Sequence, residues 1–234
     1  MATHLITGAG SGIGSELARL LHERGDTLVL LARSDERAAE LREQYAGAEA
    51  LVADLADPLA LEESLAAGGL PERLESLVHA AGVVDLNPVA DLPATQLRDQ
   101  LDVNLVSPVV LTRCCLPALR AAGGLVLFVN SGAGQTAHPG WAAYASSKFG
   151  LRAVADALRG EEAGNGVRVT TVYPGRTATP MQEKVHAQEG ADYDPSRWIQ
   201  PSTVASTILH CLDLPADGTV PEVSVRPGPG PSRS

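Results

Sequence analysis

Short, almost wholly apolar runs alternate along the chain with longer segments of helical periodicity. The runs at 3–7, 27–31, 49–53, 76–79, 124–130, 167–173 and 222–226 are mostly near-continuous in Val, Leu and Ile, as in strands buried on both faces of a parallel sheet. Between them the spacing predicts helices over 12–24, 35–45, 58–66, 95–121, 141–163 and 202–212. Asp57 is placed to cap a helix opening with Pro58, and Gly68-Gly69 to stop it. Strand and helix repeated in this way predict one Rossmann-like, doubly wound α/β domain over 1–226, with about seven parallel strands and helices on both faces. No repeat or linker interrupts it. The last stretch, 227–234, has no apolar anchor after Val225 and reads as a flexible tail.

Composition narrows the function classes. A chain of 234 residues with 44% apolar side chains can bury one full core. Its net charge of −10 and 3% aromatic content argue against a nucleic-acid partner. Cys114 and Cys115 are adjacent and Cys211 is remote, so neither a disulfide framework nor a metal-ligand spacing exists, and a reducing, cytoplasmic compartment is expected. The opening "MATHLITGAG" enters a strand directly, without a basic or apolar leader. The longest uncharged stretch, 121–147, is broken by Gly, Pro and polar residues, so no membrane span is expected.

The first chemical signal is "LITGAGSGIGSELARLL", residues 5–21. A strand runs into Gly8, Gly12 and Gly14, and an amphipathic helix comes next. Glycines there let backbone approach a pyrophosphate, and a helix start offers free N–H groups. A turn without a ligand is the plainer alternative, but strand and helix fall on the sides a nucleotide site requires. A second signal is "GWAAYASSKFG", residues 140–150. The chain has sixteen arginines but only two lysines, Lys148 and Lys184. Lys148 lies four residues after Tyr144, so the two share a helix face. An ammonium is a compact, movable donor, whereas a guanidinium is a rigid fork.

Together these motifs resemble the compact subtype of the short-chain dehydrogenase/reductase family, over almost the whole chain. The T-G-x-x-x-G-x-G spacing appears at Gly8, Gly12 and Gly14, Y-x-x-x-K at Tyr144 and Lys148, a serine thirteen residues earlier at Ser131, an asparagine at Asn104, and a P-G turn at Pro174-Gly175. At "HAAG" the chain departs from the family's frequent paired asparagines. There His79 is expected to satisfy backbone groups at the sheet's end, beside Ala81 and Gly82. The resemblance implies hydride transfer between a nicotinamide and a carbonyl or secondary alcohol, with Asn104, Ser131, Tyr144 and Lys148 as the catalytic set. A phenol with a pKa of roughly 10 needs about 4 kcal/mol of preference for its anion to titrate near 7. An ammonium about 5 Å away offers roughly 3 kcal/mol at an effective dielectric of 20, so Lys148 is expected to draw Tyr144 downward.

Cofactor contacts implied by the resemblance involve Gly8, Ser11, Gly12, Ile13, Gly14, Ala81, Gly82, Tyr144, Lys148, Pro174, Gly175, Thr177 and Thr179. After the second strand comes Ala32 rather than an acid, then Arg33 and Ser34, which favours NADP(H) over NAD(H); Arg33 as an ordinary solvated charge is the alternative. Asp54 and Leu55 resemble an adenine-edge contact, with capping as the competing role for Asp54. Residues 180–200 are polar, with Gly190 and Pro195 interrupting any helix, and read as a mobile lid. Gly132, Ala133, His138 and Trp141 are expected at the pocket floor. His138 reads better as a loop residue, and Arg176 could meet a substrate carboxylate or face water. Partners are then a small carbonyl or alcohol and a second copy of the chain in a homodimer, with a tetramer less supported. A cofactor-binding sensor without turnover is the alternative function.

Overall fold

A computed structural model describes residues 1–228. Seven parallel strands form one sheet: β1 Thr3–Thr7, β2 Thr27–Ala32, β3 Glu49–Val52, β4 Ser76–His79, β5 Leu125–Val129, β6 Arg168–Pro174 and β7 Glu222–Val225, in the order β3-β2-β1-β4-β5-β6-β7. From β1 the chain builds outward on one side through β2 and β3, then crosses back to place β4 on β1's other edge. That reversal leaves a crevice beyond the carboxyl ends of β1 and β4, where doubly wound sheets bind ligands.

Side chains alternate across each strand with period two, and the alternation divides the core. Ile6, Leu28, Leu30 and Leu127 join one cluster, with Leu17 and Leu21 of α1 (Gly12–Arg24), Leu41 of α2 (Asp35–Gln44) and Ile208 of α8 (Pro201–Leu212). Leu5, Val29, Val126 and Phe128 join the other, with Leu65 of α3 (Leu61–Gly68), Leu111 of α5 (Ser107–Ala122) and Leu151 of α6 (Ala142–Glu162). The near-continuous apolar runs therefore reflect two filled faces.

Three predicted helical regions differ in detail. The helix expected over 58–66 begins at Leu61, because residues 58–60 form a turn whose Ala60 N–H donates to Asp57 Oδ1 at 3.1 Å. Asp57 caps that turn, and the helix is anchored by buried Leu61 and Leu65. The helix expected over 95–121 is a continuous stretch made of α4 (Ala94–Leu101), a π turn at Asp102–Val106, and α5. It is 29 residues long and contains an 18-residue window of mean hydropathy 1.4, enough to cross a bilayer by length and composition. Charged residues interrupt it, so a search for uncharged runs passes over it. Its Leu111, Cys115 and Leu119 are buried within the core beside β4 and β5.

The third difference lies in 180–200, where Pro180–Glu189 forms a ten-residue helix, α7, with clear ends. Thr179 is the N-cap, Pro180 the first helical residue and Gly190 the left-handed stop. Of the expected tail, Pro227 lies against Gly175, its Cδ 3.1 Å from where a β-carbon would sit; residues 229–234 lie outside the described residues.

Candidate active site

One cavity of about 750 Å³ occupies the crevice. Its first wall is the loop between β1 and α1. Gly8 has φ +74°, and a β-carbon there would lie 2.7 Å from the Ala81 nitrogen; one on Gly14 would lie 2.3 Å from the Gly8 carbonyl oxygen. The loop thus packs backbone on backbone, against Ala81 on one side and its own helix on the other. Gly8, Ser11, Gly12 and Ile13 line the cavity, whereas Gly14 serves the packing behind it. Ser11 is the N-cap of α1 but its side chain makes no capping bond, and the first turn holds no acid. The helix start therefore presents amides and a positive dipole end to the cavity, which suits an anion.

The second wall carries the Ser131 and Tyr144 hydroxyls and the Lys148 ammonium. Ser131 follows β5 and Tyr144 lies in the first turn of α6. The Ser131 hydroxyl lies near enough to the Tyr144 phenol to influence its titration, while Ser131 Oγ accepts the Ala133 N–H at 3.1 Å. One turn on, Lys148 Nζ lies 5.7 Å from the Tyr144 ring centre and donates to the Val129 carbonyl at 3.2 Å. Asn130 locks this register: its Nδ2 donates to the Lys148 carbonyl at 3.0 Å and its Oδ1 accepts the Ser131 N–H at 2.8 Å.

Burial dominates the electrostatics of this wall. It pushes the Tyr144 phenol up to about 12, against a smaller downward pull from the neighbouring Ser131 hydroxyl, and it brings the Lys148 ammonium down to about 8. The expected lowering of Tyr144 by Lys148 does not appear; burial decides the direction at both groups, because desolvation penalises phenolate and ammonium alike. His79 departs from expectation as well. Its ring bonds no backbone group: Nε2 meets the Thr112 hydroxyl at 2.9 Å and the ring stacks on Phe128 at 4.9 Å. Burial, with Lys148 adding to it, takes its pKa to about 3, so it is neutral.

Asn104 sits at the centre of the π turn, 1% exposed. Its Oδ1 accepts the Val83 N–H and its Nδ2 donates to the Val83 carbonyl, both at 2.8 Å, with Ser147 Oγ at 3.1 Å from Nδ2. Asn104 does not line the cavity; Gly82 separates it from Lys148, since a β-carbon there would lie 3.1 Å from Asn104 Oδ1 and 3.7 Å from Lys148 Nζ. The remaining wall continues from β6. Pro174, Gly175, Thr177 and Thr179 line it, and the Thr179 methyl would touch a β-carbon on Gly12 at 3.0 Å. Thr179 therefore closes over the glycine loop.

Not every expected contact gathers there. Gly132, Ala133, His138 and Trp141 do line the cavity, but Arg33, Ser34, Asp54 and Leu55 do not. Ser34 caps α2 by accepting the Arg37 N–H. Asp54 takes the capping role, accepting the Ala56 N–H at 2.9 Å, and the Leu55 carbonyl accepts from Ser107 at 2.7 Å. Val84 and the α7 residues Met181, Gln182, Val185 and Glu189 also line the cavity, unforeseen because 180–200 read as loop. The Thr179-Pro180 pair with Gly190 beyond it was the available signal for that helix.

A nucleotide cradle beside a serine–tyrosine–lysine cluster defines a class of α/β oxidoreductase. Residues 2–190 match the short chain dehydrogenase family model, and the chain belongs to the short-chain dehydrogenase/reductase family. It is 33% identical to sulfoacetaldehyde reductase 2 of Chromohalobacter salexigens, covering 95% of this chain and 93% of that protein. Among solved structures, a short chain dehydrogenase from Escherichia coli CFT073 complexed with NADPH is similar with a TM-score of 0.83, at 26% identity and 95% coverage of both chains. An alcohol dehydrogenase from Thermococcus sibiricus complexed with 5-hydroxy-NADP superposes with a TM-score of 0.79, at 26% identity and 96% coverage of both. The protein is accordingly an oxidoreductase acting on CH–OH type substrates.

The lowered Lys148 pKa has a measurable consequence. Between about 8 and its ordinary 10.5 the unfolded chain holds this proton more tightly than the folded one, so the contribution of Lys148 to stability rises with pH across that window. Lys148→Met removes the cost of the buried ammonium. Its unfolding free energy relative to the unmutated protein, from urea titrations, is expected to be highest below pH 8 and to fall from about pH 8 to 10. A difference independent of pH would contradict the buried ammonium.

Proposed function

We propose that this protein is an NADP(H)-dependent oxidoreductase that interconverts a carbonyl compound and a secondary or primary alcohol, with Tyr144 as general acid and base. The observation that carries the reading is the convergence on one cavity of the Ser131 and Tyr144 hydroxyls, the Lys148 ammonium and the uncapped start of α1. The residues fit a dinucleotide: Gly8, Gly12 and the first turn of α1 would hold its pyrophosphate, Thr179 would cover it, and Lys148, Pro174, Gly175 and Thr177 would border the nicotinamide end. When bound, the nicotinamide supplies or accepts hydride.

Ser131 and Tyr144 are close enough for one substrate oxygen to meet both hydroxyls, so Ser131 holds the carbonyl oxygen while Tyr144 donates the proton in reduction. Tyr144 enters as the neutral phenol, the form its burial enforces. Lys148, paired with no acid and poised near neutrality, stabilises the phenolate that results and can return a proton. Asn104 acts as a positioning residue by tying the π turn to Val83. A non-catalytic sensor would gain nothing from the buried ammonium, whose desolvation costs stability.

NADP(H) is favoured by Arg33, which is exposed and makes no hydrogen bond or ion pair among the described residues, just beyond Ala32 at the end of β2. Both solved relatives named above hold NADP-type nucleotides, which supports the same choice. The free Cys114, Cys115 and Cys211 support a reducing, cytoplasmic setting. A homodimer is supported by Val106, Val109 and Phe149, apolar side chains left 38–41% exposed along the long helices.

Tyr144→Phe is expected to abolish carbonyl reduction, monitored by NADPH absorbance over a ketone and aldehyde panel, while NADPH affinity stays within a few-fold. Turnover at the unmutated rate would refute the assignment of the acid. Nicotinamide fluorescence titrations should show NADPH bound about ten- to a hundred-fold tighter than NADH, since a charge-assisted bond to the 2′-phosphate is worth roughly 1.5–3 kcal/mol. Arg33→Ala should remove most of that preference; equal affinities in the unmutated protein would overturn it. Light scattering at micromolar concentration should report at least a dimer, and a monomer would contradict the interface reading.

A further inference from the structure

The outer end of the cavity, past Tyr144, combines an apolar wall with a closed ion pair. Val84, Ala133, Trp141, Met181 and Val185 cluster around Tyr144. Facing the same cavity are Arg176, just after the Pro174-Gly175 turn, and Glu189, the last residue of α7. Arg176 Nη1 and Nη2 donate to the two Glu189 carboxylate oxygens at 2.7 and 2.8 Å, an end-on bidentate geometry that is specific as well as strong. The guanidinium also lies over the Trp198 ring at 5.5 Å. Trp198 in turn packs on His186 at 5.2 Å, and His186 Nδ1 is bonded to the Gln182 carbonyl at 2.8 Å. The guanidinium end of the pair is therefore held before any substrate arrives.

The sequence leaves Arg176 free to meet a substrate carboxylate or to face water; its side chain is 36% exposed, and the carboxylate it meets here is supplied by the chain itself. The other cation nearby, Lys184, is engaged in the same way, with Asp85 at 2.6 Å. Lys148 belongs to the inner, proton-handling end, and the exposed His138 is the remaining titratable side chain of the outer wall. Among the described residues the substrate end thus offers apolar surface and its lining guanidinium is paired, while Arg226, beside Gly132, bonds Gln135 rather than an acid, in a protein whose net charge is −10. An anionic substrate would have to strip Glu189 from Arg176, and the carboxylate so displaced would remain beside it as a repelling charge.

We infer that Glu189 is a specificity-determining residue: by occupying Arg176 it makes the site select uncharged carbonyl compounds with an apolar substituent and turn away those carrying a carboxylate or sulfonate. The inference rests on the carbonyl-reductase reading but makes a separate claim about charge. A merely structural pair would fix α7 without setting a preference between neutral and anionic substrates.

The test compares benzaldehyde with para-formylbenzoate, alike except for the carboxylate, on the full chain with NADPH at about pH 8, above the ordinary imidazole range. The unmutated protein should favour benzaldehyde in kcat/KM by about tenfold or more. Glu189→Gln, which keeps the shape and can still bond Arg176, should shift that ratio toward para-formylbenzoate by about tenfold or more, and Arg176→Met added to it should cancel the shift. Binding gives an independent readout, because both tryptophans of the chain, Trp141 and Trp198, lie at this end. Quenching of their emission should show the same order in the NADPH complex. Equal or better use of para-formylbenzoate by the unmutated protein, or a ratio unmoved by Glu189→Gln, would overturn the inference. The expected binding order without reduction of either aldehyde would sustain it and overturn the carbonyl-reductase reading instead.

Discussion

A buried ammonium is the constraint around which the carboxyl end of the sheet is organised. Lys148 is 3% exposed and, among the described residues, has no acid for a partner and is held by a single backbone carbonyl, that of Val129. Taking a cation out of water in this way costs stability, and the surroundings reduce that cost only partly. Asn130 grips the Lys148 carbonyl, which sets where α6 crosses the end of β5 and hence where Tyr144 and Ser131 meet. His79, forced neutral by burial and by the same ammonium, packs between Phe128 and Thr112 without adding a competing charge.

The opposite wall has another logic. The glycine loop and α1 make a cradle from backbone alone, so its affinity for an anion depends on close approach and on uncapped amides. Side-chain volume at Gly8 would push the loop off Ala81, and at Gly14 would push the helix off the turn. The segment between β6 and α7 joins the two walls. Thr179 caps α7 and at the same time reaches Gly12, so the helix that roofs the substrate end is started by the residue that covers the cradle. Cofactor and substrate spaces are thereby coupled through a few residues of backbone.

Much of this was legible from the chain. The strands were readable because a parallel sheet filled on both faces demands uninterrupted apolar residues, and the glycine spacing and the Tyr144–Lys148 pair are local patterns at helical or turn distance. The start of α3 was displaced because Pro58 suits a turn as well as a first helical residue, and only packing of Leu61 and Leu65 decided between them. The helix α7 was obscured because its outward side is polar and Gly190 and Pro195 looked like general interruptions, when Gly190 is the stop of a helix that Thr179 and Pro180 begin.

By itself, then, the sequence determined the strand and helix alternation, the glycine loop at the start of α1 and the shared helix face of Tyr144 and Lys148, since each depends on neighbours a few positions apart. Tertiary structure decided the rest. The sign of the shifts at Tyr144 and Lys148 depends on how completely other elements exclude water, and the fate of Arg176 depends on Glu189, thirteen residues away at the far end of a helix. Asn104 was nameable from the chain, but its work as a brace on Val83 comes from a π turn and a contact across the fold. Desolvation and pairing are properties of a three-dimensional neighbourhood, and no local pattern of residues encodes them.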